Sequence, residues 1–204
     1  SMLESALFAN CTSLKTVYLP KVRIYGNITP EYTARIFYEK DSYGNVTVTD
    51  VEAGTQTRIE IPETIDGGTV KIIGANAFEN CDTFTSITLP QSLTSIEDFA
   101  FAHCTALQNI NIPQNVTNIG GSAFFQCKSL TSITIPSGVT SINDVAFAHC
   151  TSLKSIELPD HLVSIGVSAF TYCTSLESVV IPAEVTSVGS RAFSTCTSLE
   201  SVAI

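Results

Sequence analysis

The sequence predicts a solenoid of stacked 23-residue units, with a parallel β-sheet on one face and short turns or single helical turns on the other. Three observations carry this reading. Cysteines fall at Cys81, Cys104, Cys127, Cys150, Cys173 and Cys196, each 23 residues after the last. Phenylalanines keep the same interval at Phe78, Phe101, Phe124, Phe147, Phe170 and Phe193. Prolines do so at Pro90, Pro113, Pro136, Pro159 and Pro182. Three residue types in one phase define an internal repeat, and repeats of this length form stacked arrays.

The elements follow in order along one unit. From Phe124, the apolar positions are Phe124, Cys127, Leu130, Ile133, Ile135, Val139, Ile142 and Ala146. Ile133 and Ile135 alternate with Ser132 and Thr134, the period of a strand with one buried face. Pro136 closes the strand because it has no N–H to give to a ladder. Ser137-Gly138 makes a turn, after which Val139 and Ile142 point inward again. The Ala-Phe-x-x-Cys stretch that follows is short enough for one helical turn. A lone unit cannot bury these eight side chains. Stacked in parallel at about 4.8 Å, each unit covers its neighbour. Each large side chain so buried contributes roughly 1.5–3 kcal/mol.

Composition supports a packed array and excludes some partners. Of 204 residues, 44% are hydrophobic and only 14% charged, so Ser and Thr supply much of the polar surface. Ten Lys and Arg are scattered among nineteen Asp and Glu, for a net charge of −9. Nucleic-acid binding needs a basic stripe, and none is visible. No apolar run is long enough for a transmembrane helix. No basic segment followed by an apolar one marks a signal peptide.

The strand motif reads L-x-x-I-x-I-P: Leu107, Ile110, Ile112, Pro113; then Leu130, Ile133, Ile135, Pro136; then Leu153, Ile156, Leu158, Pro159. With the V-T-S-I-G-x-x-A-F-x-x-C segment that follows, it resembles the BspA-like class of leucine-rich repeats over residues 58–204. The resemblance implies a leucine-rich-repeat solenoid and an extracellular or cell-surface protein of bacteria or protists that adheres to host matrix or to other cells. Three positions depart from the pattern. Phe84 stands for Leu, and Glu97 and Asn143 stand where Gly120, Gly166 and Gly189 occur; these two are expected not to need a left-handed backbone.

The first third is irregular. Residues 6–20 read as one more unit, but Cys11 lies one residue further from Cys81 than three periods would place it. The stretch R-I-F-Y-E-K, D-S-Y-G-N, V-T-V-T-D-V reads as a hairpin around Gly44-Asn45. An insertion at Asp66-Gly67-Gly68-Thr69-Val70 lengthens the unit that opens at Arg58. The expected organisation is a partial repeat at 1–20, the tail of an upstream array; an irregular hairpin spacer or cap at 21–57; and the array at 58–204, truncated at its C-terminus. The rival reading is one continuous solenoid with an insertion. The uncapped last unit, with Phe193, Leu199, Val202 and Ile204, is expected to be able to stack end-on against another copy.

No catalytic residue, metal ligand or cofactor site stands out. The cysteines, each isolated in sequence, fit a column of small buried thiols; disulfides between units and a metal are the alternatives. His103 and His149 lie two units apart, about 10 Å, too far to share a metal ion, and His161 follows Asp160 in a turn. Neither a G-x-S-x-G elbow nor a phosphate-binding glycine loop is present. The binding candidates are the outward strand positions Gln108, Asn109, Asn111, Thr131, Thr134, Lys154, Glu157, Glu177 and Val180. Such a broad, shallow face suits a protein or glycan ligand better than a small molecule. The expected function is therefore an extracellular adhesion or binding module. The alternatives are a structural stalk for another domain and the targeting arm of a larger secreted enzyme.

Overall fold

A computed structural model describes residues 34–203. It is a three-sided β-solenoid, a leucine-rich-repeat architecture, and no helix forms among the described residues. The chain enters through an antiparallel hairpin, β1 (Arg35–Lys40) and β2 (Asn45–Glu52). Its turn is closed by Asp41, whose carboxylate accepts the Tyr43 and Asn45 N–H groups, and by Gly44 at φ 86°. Two series of strands then alternate along the chain.

The first series lies on the expected face: β3 (Arg58–Glu60), β6 (Ser86–Thr88), β8 (Asn109–Ile110), β10 (Ser132–Thr134), β12 (Ser155–Glu157), β14 (Ser178–Val180) and β16 (Ser201–Ala203), hydrogen-bonded as the ladders β3-β6-β8, β10-β12 and β14-β16. Pairing is parallel and in phase, Ile133 opposite Ile156 and Ser132 opposite Ser155. The second series forms strands on a second face, in two ladders that break between Asn118–Ile119 and Ser141–Ile142, where the sequence suggested only an inward return of the chain. Its members are β4 (Thr64–Ile65), β5 (Gly68–Ile73), β7 (Ser95–Ile96), β9 (Asn118–Ile119), β11 (Ser141–Ile142), β13 (Ser164–Ile165) and β15 (Ser187–Val188). The 66–70 insertion becomes a tight hairpin, with β4 antiparallel to β5 and both Asp66 and Gly67 at positive φ, as a type I′ turn requires. Strand β2 lies parallel to β5, so the N-terminal hairpin extends this second sheet. The unit read at residues 6–20 lies outside the described residues.

On the third side the single helical turn does not form. A helix would commit each N–H to its own segment. Here Ser122, Phe124 and Gln126 donate to Asp144, Ala146 and Ala148 of the next unit at 2.8–2.9 Å. The intervening Ala123, Phe125 and Cys127 close tight turns on Gly120, Ser122 and Phe124. Keeping alternate N–H groups aimed along the axis needs left-handed residues, Ser122 (φ 55°) and Gln126 (φ 58°) in this unit and their counterparts in the others. A non-glycine residue there costs on the order of 1–2 kcal/mol, which the inter-unit bonds offset.

The core runs down the axis. Phe78, Phe101, Phe124, Phe147, Phe170 and Phe193 stack face to face, centroids 4.8–5.5 Å apart. Beside them the cysteines form one column of free thiols. Each Sγ donates to a carbonyl of the preceding unit: Cys127 to Phe101, Cys150 to Phe124 and Cys173 to Phe147, at 3.1–3.2 Å. Burial is not uniform as expected, since Cys81 and Cys196 are only half-buried. Cys81 meets the hairpin instead of a full unit, bonding the Val51 carbonyl at 3.4 Å.

The glycines at 120 and 166 are not left-handed; they allow close approach. A Cβ on Gly166 would sit 2.6 Å from the Asp144 nitrogen, and one on Gly120 would strike Asp98 likewise. Glu97 and Asn143 occupy the same column, each with a glycine in the units before and after it.

Candidate functional site

The solenoid presents two polar outward surfaces, one expected from the sequence and one not. On the first sheet every candidate is exposed. Gln108, Thr131, Lys154 and Glu177 form a row where the chain enters each strand. The row is tied by backbone bonds from Thr131 to Gln108, Lys154 to Thr131 and Glu177 to Lys154 at 2.9–3.3 Å. Asn111, Thr134, Glu157 and Val180 form a parallel row at the strand exits, where the Thr134 hydroxyl donates to the Glu157 carboxylate at 3.0 Å. Asn109 lies between the rows, in line with Ser132, Ser155 and Ser178. The strands hold these side chains because the alternate residues, Ile110, Ile133, Ile156 and Val179, are buried. The result is a flat polar face that becomes acidic toward Glu177 and Glu200, with Val180, 67% exposed, as its apolar element.

The second surface is a groove of about 620 Å³ along the second sheet. Its lining includes Asn118, Ser141, Asn143 and Ser164, with the carboxylates of Asp98 and Asp144. The polar groups are fixed to one another across units. Asn118 Nδ2 donates to Ser95 Oγ at 2.9 Å, and Ser95 bonds Glu97. The Ser141 and Ser164 hydroxyls lie 2.9 Å apart, and Asn143 Nδ2 donates to the Ile119 carbonyl. Asp98 Oδ1 accepts the Gly121 N–H at 2.7 Å, and Asp144 Oδ1 accepts that of Val167 at 2.6 Å. Sequence reasoning missed this surface. Its signal is a difference between units: T-S-I-E-D at 94–98 and T-S-I-N-D at 140–144 flank T-N-I-G-G at 117–121.

The two histidines are joined by a third ring. On the turn side Phe125 contacts His103 and His149 edge-on at 5.1 and 5.6 Å, and His149 stacks on Tyr172 at 4.6 Å. In the thiol column burial pushes every cysteine upward from its ordinary pKa, Cys81 to about 11 and the fully enclosed Cys127 and Cys150 well above that ordinary value. Such thiols are poor nucleophiles and poor metal ligands, because both roles need the thiolate.

The family model for the BspA type leucine rich repeat region matches residues 71–200 in six copies. Similar solved structures are bacterial. A leucine rich cell surface protein of Faecalibacterium prausnitzii is 31% identical over 88% of this chain and 54% of that one, with a TM-score of 0.65. A leucine-rich repeat protein of Bacteroides ovatus is 32% identical over 88% and 41%, with a TM-score of 0.58. The leucine rich repeat protein of T. pallidum is 30% identical over 81% and 66%, with a TM-score of 0.52. This chain thus spans about half the length of the first two. No curated protein matches it.

Proposed function

Because this chain belongs to the BspA-type leucine-rich-repeat family, we propose that it is an adhesion module of the cell surface that holds a protein or glycan partner against its first sheet. The observation that supports this reading is the unbroken, in-register rows of exposed polar side chains from Gln108 to Glu177. A partner that buries about 800 Å² per side needs a broad surface of fixed shape, and units tied to one another by backbone bonds at each strand entry supply one. The face lacks the depth that encloses a small molecule. Its hydroxyls and amides suit a polar macromolecular surface, and the acidic end around Glu157, Glu177 and Glu200 favours a partner with basic groups there. Surface placement accords with the F. prausnitzii cell surface protein.

The test is surface plasmon resonance of the chain over immobilised extracellular-matrix proteins and epithelial-cell glycoproteins. Binding should fall about tenfold, about 1.4 kcal/mol, when Asn109, Thr131 and Lys154 are replaced together by alanine. Full-strength binding by this triple variant would place the contact elsewhere. No binding by the wild-type chain would favour a stalk.

A further inference from the structure

We propose that the groove on the second sheet is a separate binding site, and that its ligand is a neutral oligosaccharide lying along the solenoid axis. The centre of the site is the Gly120-Gly121 pair. Gly120 is demanded by the fold, because a Cβ there would strike the Asp98 backbone. Gly121 is not. Its φ is not left-handed, and a Cβ would meet only Asp144 O at 3.5 Å and Asp98 Oδ1 at 3.6 Å, ordinary contact distances. The same position two units on carries Val167 without disturbing the ladder. Glycine at 121 therefore does no work in packing. It leaves a notch one unit wide, bounded by Glu97 and Asp98 before it and by Asn143 and Asp144 after it.

The lining selects the ligand class. Asn amides and Ser hydroxyls both donate and accept, and the carboxylates are strong acceptors for hydroxyl groups. Asp98 and Asp144 are each held by an N–H of the next unit, so their orientation is set before a ligand arrives. Vicinal hydroxyls of a pyranose present this complementary pattern of donors and acceptors. The groove crosses five units, about 20 Å at the strand spacing, and offers similar polar groups at each step, which suits a linear polymer of like residues. Three lining carboxylates and no lining Lys or Arg disfavour sulfated or uronic acid sugars. An extended peptide is disfavoured too. Gly120 N and Gly166 N are paired with Ile96 O and Ile142 O, and at the break in the ladder between β9 and β11 the Ile119 carbonyl is held by Asn143 Nδ2, so an added strand finds few free acceptors along the floor. Val167, 44% exposed at the rim, can receive the apolar face of a sugar ring.

The experiment is isothermal titration of the whole chain with hexasaccharides from cellulose, laminarin, chitin and starch, with polygalacturonate as the anionic control. At least one neutral hexasaccharide should bind and polygalacturonate should not. Gly121→Val should weaken that binding at least tenfold while leaving the melting temperature near wild type. Gly121→Ala and Asp144→Asn serve as milder variants should the valine lower stability; the asparagine keeps an acceptor for the Val167 N–H. The triple alanine variant of the first sheet should bind the sugar normally, which separates this site from the adhesive face. Failure of all four neutral sugars to bind, stronger binding of the anionic polymer, or full binding by Gly121→Val would each overturn the proposal.

Discussion

Raising the pH should unfold this protein abruptly, because its core holds protonated thiols. Cys104, Cys127, Cys150 and Cys173 are buried, and burial raises each above the ordinary value of 9.0. Each bonds a backbone carbonyl as a donor, a role the thiolate cannot fill. Above pH 9.0 the unfolded chain has lost these protons while the native state keeps them, so native stability falls as pH rises; below it the contribution is fully present. Each thiol contributes about 1.4 kcal/mol per pH unit in that window. Four acting together remove about 5–6 kcal/mol per pH unit, against a total stability of about 5–15 kcal/mol for a typical domain. Cooperative unfolding should thus come within about one to three pH units above the free-thiol value. The assay is far-ultraviolet circular dichroism and urea midpoint, titrated upward from neutral pH, with thiolate absorbance followed in parallel. Thiolate signal should appear only with unfolding. In a Cys127→Ala/Cys150→Ala double variant the pH slope of stability should drop by about half. A native dichroism spectrum coexisting with full thiolate absorbance, or an unchanged slope in the double variant, would show that the buried thiols do not govern alkaline unfolding.

Other consequences are direct. Phe147→Ala removes a ring stacked between Phe124 and Phe170 and should cost about 3–5 kcal/mol, read as a lowered urea midpoint. Val145 is β-branched yet sits at φ 61°; Val145→Asn should stabilise by about 1 kcal/mol in the same measurement. Gly166→Ala, whose Cβ would lie 2.6 Å from the Asp144 nitrogen, should lower the melting temperature clearly, whereas Gly121→Ala should leave it almost unmoved; equal effects would show that the ladder relaxes around either. Native protein should leave Cys127 and Cys150 unmodified by a thiol reagent until denaturant is added.

Much of this architecture is legible in the primary structure because a solenoid is nearly one-dimensional. When Phe124, Cys127, Leu130, Ile133 and Ile135 recur every 23 residues, each must lie over its own copy, so period and polarity alone specify the core columns and the first sheet. The exposed candidates from Gln108 to Val180 follow from the same alternation. The tertiary structure decided what period and polarity do not encode. Whether Ala-Phe-x-x-Cys makes a helical turn or a left-handed ladder depends on where its N–H groups find acceptors, and these lie in the next unit. That β2 docks on β5, and that Val51 takes the place of a preceding unit for Cys81, depends on a fold-back of the chain that no local pattern announces. The groove escapes a search for repeats for a related reason. It arises where units differ, Glu97-Asp98 and Asn143-Asp144 on either side of Gly120-Gly121, and a periodic reading averages those differences away until stacking sets them side by side.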